Sequence, residues 1–171
     1  MDRMASIELA LKNEQTEMDF YLHEAARSRN ALARAMFENL ARDEQEHMTR
    51  IRALHERLLI DGAWPEDVPI EVAGTDVKQT LERLVGQEGS QADHDDDDIQ
   101  AIQKAIDFES RGSSFYAELA GQCKNPAEER FFRFLSQIER EHFLSLTDSL
   151  AYLDDPEAWM MQHERSGLDG A

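Results

Sequence analysis

The sequence contains few of the residues that cross-link a chain or interrupt its regular elements. Its 171 residues include one cysteine, Cys123, together with four prolines and eight glycines. A lone cysteine excludes a disulfide within the chain and any metal site that needs a pair of thiolates. Because proline and glycine interrupt helices and strands, their scarcity favours long regular elements.

Long apolar runs and an excess of positive charge are also missing. No stretch approaches the roughly 18 consecutive apolar residues of a membrane-spanning helix. The first residues are not followed by the apolar core of a signal peptide, so we expect a cytoplasmic protein. The chain carries 18 basic and 36 acidic residues, a net charge of −18. That charge disfavours binding to nucleic acid or to an anionic membrane surface, since both require basic patches.

A short polar motif occurs twice. Glu44-x-x-His47 recurs 95 residues later as Glu139-x-x-His142. Residues three apart lie on one face of a helix, so each motif directs a carboxylate and an imidazole the same way. These groups are ligands suited to iron, manganese or zinc.

The repeat extends well beyond the motif. At the same offset, matches to the first half of the chain are found at Glu109, Phe115, Tyr116, Phe132 and Leu135, which correspond to Glu14, Phe20, Tyr21, Phe37 and Leu40. Seven identities at one offset, without a gap, indicate an internal duplication of a two-helix unit.

Apolar residues at alternating spacings of four and three predict four long helices, over about residues 4–27, 31–60, 98–122 and 127–153. The predicted fold is all-α: a four-helix bundle, spanning about residues 1–160, with a long crossover at 61–97 between its second and third helices. Thr75-Asp76 predicts the start of a short helix that ends near Val85. A further short helix is expected around Trp159 and Met160, before a flexible tail at 161–171.

An aspartate run, Asp95 to Asp98, precedes the third long helix. We interpret it as a solvated loop that supplies the cap and the early negative charge of that helix. An accessory cation site is the alternative.

Six residues of the repeat fall on inward helix faces at one height: Glu14, Glu44, His47, Glu109, Glu139 and His142. Glu14 and Glu44 lie equally far from the turn between their helices, and so do Glu109 and Glu139. At 1.5 Å per residue, each of these distances is roughly 22 Å. Four buried carboxylates cannot all stay ionised without compensating positive charge, and two divalent cations supply it. The alternatives are a metal-free polar network and a pair of structural zinc ions.

This pattern resembles a rubrerythrin-type member of the ferritin-like superfamily, in which two helices supply one Glu each and two supply Glu-x-x-His. The resemblance implies two irons bridged by Glu44 and Glu139. It also implies that each iron is completed by one single glutamate and one histidine, Glu14 with His47 and Glu109 with His142.

This sequence departs from that family in two respects. Rubrerythrins carry a second, four-cysteine iron domain, which one cysteine rules out, so we expect an external electron donor such as a separate rubredoxin or reductase. They also tend to carry an extra Glu three residues after the single Glu of the third helix, where this chain has Gly112. The corresponding residue of the first helix is Glu17, which is either a seventh ligand or a surface charge.

The resemblance implies a non-haem di-iron oxidoreductase that reduces hydrogen peroxide or oxygen. The alternative is an iron-binding ferroxidase for storage or delivery, and an oxygenase is less favoured because no large added pocket is expected. Tyr21 and Tyr116 are either hydrogen-bond donors to the ligands or core aromatics. The other histidines, His23, His55, His94 and His163, are predicted at the surface, and a homodimer is expected.

Overall fold

The computed structural model describes residues 3–65, 75, 77–88 and 96–168, and within these ranges all regular structure is α-helical. The helices are α1 Arg3–Arg27, α2 Ala31–Asp61, α3 Val77–Glu88, α4 Asp96–Gln122, α5 Pro126–Asp154 and α6 Pro156–Leu168. The all-α prediction is confirmed for this part of the chain. The four predicted long helices correspond to α1, α2, α4 and α5, with ends that agree within two residues.

Local side-chain chemistry sets the helix ends. The Asn30 side chain caps α2 by accepting a hydrogen bond from the backbone N–H of Ala33 at 2.9 Å. Gly62 ends that helix in the left-handed conformation, at φ 67°, and its N–H donates to the carbonyl of Leu58. A residue with a side chain is strained at such a φ, so the glycine at position 62 has a conformational cause.

Where it is described, the aspartate run supplies the early negative charge expected of it, but it is the first turn of α4 and not a solvated loop. Asp96, Asp97 and Asp98 occupy the first turn of α4, where negative charge is favourable. Asp98 is buried, and its Oδ1 accepts a hydrogen bond from Arg27 Nη2 at 3.3 Å, which joins the end of α1 to the start of α4. Asp95 lies outside the described residues.

The four long helices share a core that is divided into two apolar clusters. One cluster joins the end of α1 and the start of α2 to the start of α4 and the end of α5, and it also receives α3 and Trp159. The other joins the opposite ends of the same four helices, together with Trp64. The helices of each hairpin are therefore antiparallel, α2 and α4 run in the same direction, and the middle of the core belongs to neither cluster.

Helix α6 is longer than the short helix expected at the end of the chain. Asp155 caps it by accepting from the N–H of Ala158 at 2.9 Å. Trp159 is buried against Tyr152, and its indole N–H donates to Asp148 at 2.8 Å. This cap and anchor fix its first turns, and the helix continues to Leu168, so residues 161–168 are helical where a flexible tail was predicted. Residues 169–171 lie outside the described residues.

Across the described ranges, none of the helices combines the length with the apolar composition that crossing a membrane requires.

Candidate metal centre

The middle of the core is polar, and the six residues singled out by the repeat meet there. Their side chains are at most 1% exposed: Glu14 on α1, Glu44 and His47 on α2, Glu109 on α4, and Glu139 and His142 on α5. Each lies on a helix face that is otherwise apolar, between the two apolar clusters. The duplicated sequence thus brings matching groups from both hairpins to one level.

Glu14 and His47, here called the first half, belong to the first hairpin. The Nδ1 atom of His47 lies 3.0 Å from Glu14 Oε2 and 3.0 Å from Glu44 Oε2. Together with Glu139, these residues present four ligand atoms that all lie within 4.8 Å of one another. Such a set of closely spaced oxygen and nitrogen atoms is suited to a divalent cation.

Glu109 and His142, here called the second half, belong to the second hairpin. The Nδ1 atom of His142 lies 3.3 Å from Glu44 Oε1 and 3.4 Å from Glu109 Oε2. These three residues form another group whose ligand atoms lie within 4.8 Å. The rings of His47 and His142 stack at 5.6 Å between centroids. Glu44 lies between the halves and contributes to both groups.

Glu17 also reaches this cluster. Its side chain is 8% exposed, and it forms a third group within 4.8 Å, with Glu44, Glu109 and Glu139. Of the two interpretations left open, a surface charge is wrong, because the carboxylate is buried among the other acids. That it is a seventh ligand stays a prediction.

Two tyrosines tie the hairpins together. The hydroxyl of Tyr21, on α1, donates to Glu109 Oε1, and the hydroxyl of Tyr116, on α4, donates to Glu14 Oε1. Each tyrosine thereby fixes a carboxylate of the opposite hairpin, which favours the hydrogen-bond-donor interpretation over that of plain core aromatics. Burial raises the pKa of both phenols, as do the charges of Glu109 and Glu14, so both stay protonated.

Several buried polar atoms of the cluster have no hydrogen-bond partner among the described residues. They include both carboxylate oxygens of Glu139, whereas Oε1 of Glu44, Oε2 of Glu109 and both ring nitrogens of His142 make only ion-pair contacts of 3.3–3.4 Å. A buried polar atom left unpaired costs about 1–3 kcal/mol, and more when it is charged. Cations bound among these atoms would satisfy them, so the residues present fit a divalent metal.

Without a cation, protons offset the negative charge. Burial and the charge of Glu44 raise the pKa of Glu14 to about 7, and burial with Glu109 raises the pKa of Glu139 well above its usual range. Burial alone would lower the pKa of His47, but the charges and hydrogen bonds of Glu44 and Glu14 together outweigh it and raise that pKa to about 10. In the metal-free centre Glu14, Glu139 and the two imidazoles therefore hold protons that metals must displace, whereas the two histidines outweigh burial and lower the pKa of Glu44, which stays ionised.

The repeat did not identify Asp43, whose Oδ2 lies 3.3 Å from Nε2 of His142. A carboxylate beside the second nitrogen of a histidine orients the ring and makes the first nitrogen a better ligand. Asp43 escaped notice because its equivalent in the second repeat is Ile138. The one sequence feature that could have pointed to Asp43 is its position directly before the Glu44-x-x-His47 motif.

The remaining histidines lie away from the cluster where they are described. The His23 side chain is 73% exposed, as predicted, whereas His55 is half-buried, 3.7 Å from Glu8, and so lies only partly at the surface. His94 and the side chain of His163 lie outside the described residues.

Comparison of the chain with models of protein families, with curated proteins and with solved structures found no significant match.

A pH dependence follows for the metal-free protein. Glu14 binds its proton more tightly folded than unfolded, so its contribution to stability is complete below its ordinary pKa of 4.5 and is lost as pH rises through about 7. His47 acts in the same direction, and its contribution is lost as pH rises through about 10. We expect the urea midpoint, measured with chelator present, to fall between about pH 5 and pH 9. Glu14→Gln should flatten this profile, and an unchanged slope in that variant would contradict the assignment.

Proposed function

We propose that this chain is a rubrerythrin-like member of the ferritin-like superfamily that binds two iron ions, with manganese or zinc as alternative metals. The observation that carries the proposal is the buried cluster of four glutamates and two histidines, several of whose polar atoms lack hydrogen-bond partners among the described residues. The fold proposed with it is a four-helix bundle of α1, α2, α4 and α5. Residues 62–95 would be its long crossover, because they join the end of α2 to the start of α4 at the opposite end of the core.

The donor set supports iron over structural zinc. Oxygen ligands outnumber nitrogen ligands, and Cys123 is not in the cluster, since its thiol donates to the backbone carbonyl of Leu119. Structural zinc sites usually use thiolates, whereas carboxylate-rich sites suit iron and manganese. Glu44 and Glu139 would be shared by two metals, with one single glutamate and one histidine at each.

The proposed activity is that of an oxidoreductase that reduces hydrogen peroxide or oxygen. When bound, a reduced iron pair supplies the two electrons for that reduction. The protein's part is to hold the ligands in place and to keep bulk water away: Tyr21 and Tyr116 fix Glu109 and Glu14, and apolar clusters close the core on both sides.

A second function, iron binding and oxidation for storage or delivery, is favoured by the net charge of −18, which attracts cations. A separate rubredoxin or reductase as electron donor, a homodimer and a cytoplasmic location stay predictions.

Anaerobic titration of the metal-free protein with Fe(II), followed by stopped-flow mixing with hydrogen peroxide or oxygen, tests the proposal. We expect saturation at two irons per chain, and faster oxidation by peroxide than by oxygen. Faster reaction with oxygen, followed by uptake of further iron, would favour the storage function. The absence of stoichiometric binding would overturn the metal assignment and leave the helical fold alone.

A further inference from the structure

A groove lies at the surface where the two hairpins meet, between α1 and α4. It has a volume of about 390 Å³, within the range of roughly 300–1,000 Å³ that is usual for small-molecule sites. The α1 wall consists of Leu9, Asn13 and Thr16, and the α4 wall of Phe108, Arg111 and Phe115. Most of the lining area is apolar, and a few polar side chains interrupt it, as in sites that bind small organic molecules.

The duplication relates the two walls, but their side chains differ. At the offset of 95 residues, the α4 equivalents of the three α1 wall residues are Lys104, Phe108 and Arg111. The α1 wall is therefore uncharged, whereas this side of α4 carries an aromatic ring and two cations. A groove with unlike walls suits an unsymmetrical ligand, with an apolar part and an anionic end.

Both cations lie at the ring of Phe108. Lys104 Nζ is 5.6 Å from the centroid of this ring, and Arg111 Cζ is 5.2 Å from it. The face of an aromatic ring attracts cations, so Phe108 helps to hold two like charges close together. Within the described part of the chain, neither cation forms an ion pair with an acidic side chain, although acidic residues outnumber basic ones 36 to 18. Arg111 Nε instead donates to a neutral acceptor, the backbone carbonyl of Asp107, at 3.0 Å. An anion at this ring would be attracted by both cations.

The net charge of −18 does not exclude an anion from this groove. Salt at physiological strength screens charges beyond about 8 Å, so acidic groups elsewhere on the surface act weakly here. Glu17 is the acidic member of the lining, but it lies at the floor and is 8% exposed. Arg111 is exposed at the rim. Positive charge is therefore more accessible than negative charge at the mouth of the groove.

We propose that the groove binds a small aromatic carboxylate, with one ring or two fused rings and one carboxylate group. The ring would pack against Phe108 and Phe115, because aromatic rings attract each other edge-to-face or offset. The carboxylate would bind Arg111, whose guanidinium group can donate two parallel hydrogen bonds to it. Asn13 and Thr16 on the α1 wall offer polar groups to the far edge of the ring. This binding site goes beyond the proposed metal function and does not depend on it.

Titration of the metal-free protein with benzoate, followed by calorimetry, tests the ligand class. Metal is removed first because a carboxylate could otherwise bind to it directly. We expect one benzoate per chain. Benzamide, which has the ring without the charge, should bind at least about tenfold more weakly, since hydrogen bonds to charged groups contribute more than neutral ones. Cyclohexanecarboxylate, which has the charge without the aromatic ring, should bind about threefold more weakly.

Substitutions on the α4 wall test the location. Arg111→Gln should weaken the binding of benzoate at least about tenfold and leave that of benzamide unchanged, because only the carboxylate needs the guanidinium charge. Phe108→Leu should weaken the binding of benzoate about threefold, and that of cyclohexanecarboxylate less. Arg133→Gln, which removes an exposed arginine from α5, is the matched control and should bind benzoate as the wild type does.

Three results would overturn the proposal. Equal affinities of the wild type for benzoate and benzamide would show that charge plays no part. Equal effects of Arg111→Gln and Arg133→Gln would place benzoate outside the groove. The absence of saturable binding by both benzoate and the two-ring 2-naphthoate would show that the groove holds no aromatic carboxylate. None of these results changes the number of Fe(II) ions bound in the separate titration, so failure of this site and failure of the metal centre are distinct.

Discussion

Replacing Glu44 and Glu139 together by alanine should abolish the binding of two divalent cations per chain. Glu44 contributes to all three candidate ligand groups and Glu139 to two of them, so each cation would lose shared ligands. Because Glu44 pairs with His47 at 3.0 Å, its removal destabilises the metal-free core, and circular dichroism of the variant shows whether the helices are retained. The measurement is the number of Fe(II) or Mn(II) ions bound after anaerobic loading and gel filtration.

The chain provides a matched control for this experiment. Glu46 and Glu141 are also related by the repeat and lie two residues beyond each shared glutamate, but Glu46 is paired with Arg50 at 2.7 Å and 41% exposed. Glu141 accepts a hydrogen bond from Gln137 on the outside of α5. The double alanine variant at these two positions should bind two cations. Two irons in the Glu44/Glu139 double variant would contradict the site assignment.

Metal binding should raise the melting temperature by about 15–30 °C. Each cation present at about 1,000 times its dissociation constant adds roughly 4 kcal/mol, so two add roughly 8 kcal/mol. A chain of 171 residues gains about 2–4 °C for each kcal/mol. The effect should be large here because the metal-free core holds polar atoms without partners.

Thermal unfolding followed by circular dichroism, with chelator and then with excess Mn(II), measures this shift. The variant that lacks Glu44 and Glu139 corrects for nonspecific binding of Mn(II) to the acidic surface, and its melting temperature should change by only a few degrees. Equal shifts in the wild type and in this variant would place the effect at the surface and refute a buried site.

Much of the centre was predictable from the sequence because the duplication repeats the same residues at the same spacing, so each copy supports the interpretation of the other. Any one buried Glu is ambiguous, but Glu44 and Glu139 recur with the same neighbours and at the same distance from a turn. The ends of the four long helices were equally accessible, since local residues fix them, as Asn30 and Gly62 do at the two ends of α2 in the structure.

The rest depends on contacts between elements, which periodicity does not encode. The bonds from Tyr21 to Glu109 and from Tyr116 to Glu14 require the packing of one hairpin against the other. Asp43 was missed because it lies one residue off the inward stripe and is absent from the second repeat. The length of α6 was missed because its anchor, the bond from Trp159 to Asp148, reaches back to α5.

The reciprocal tyrosine bonds have a consequence for the history of this chain. Each hairpin carries a carboxylate that is held by the other hairpin's tyrosine, so neither hairpin completes the centre alone. The simplest ancestor is a single hairpin that assembled as a symmetric pair. Fusion of two such copies into one chain removed the requirement that both be identical. From that point position 17 could keep its carboxylate while position 112 lost one, a divergence that no homodimer of identical hairpins can achieve.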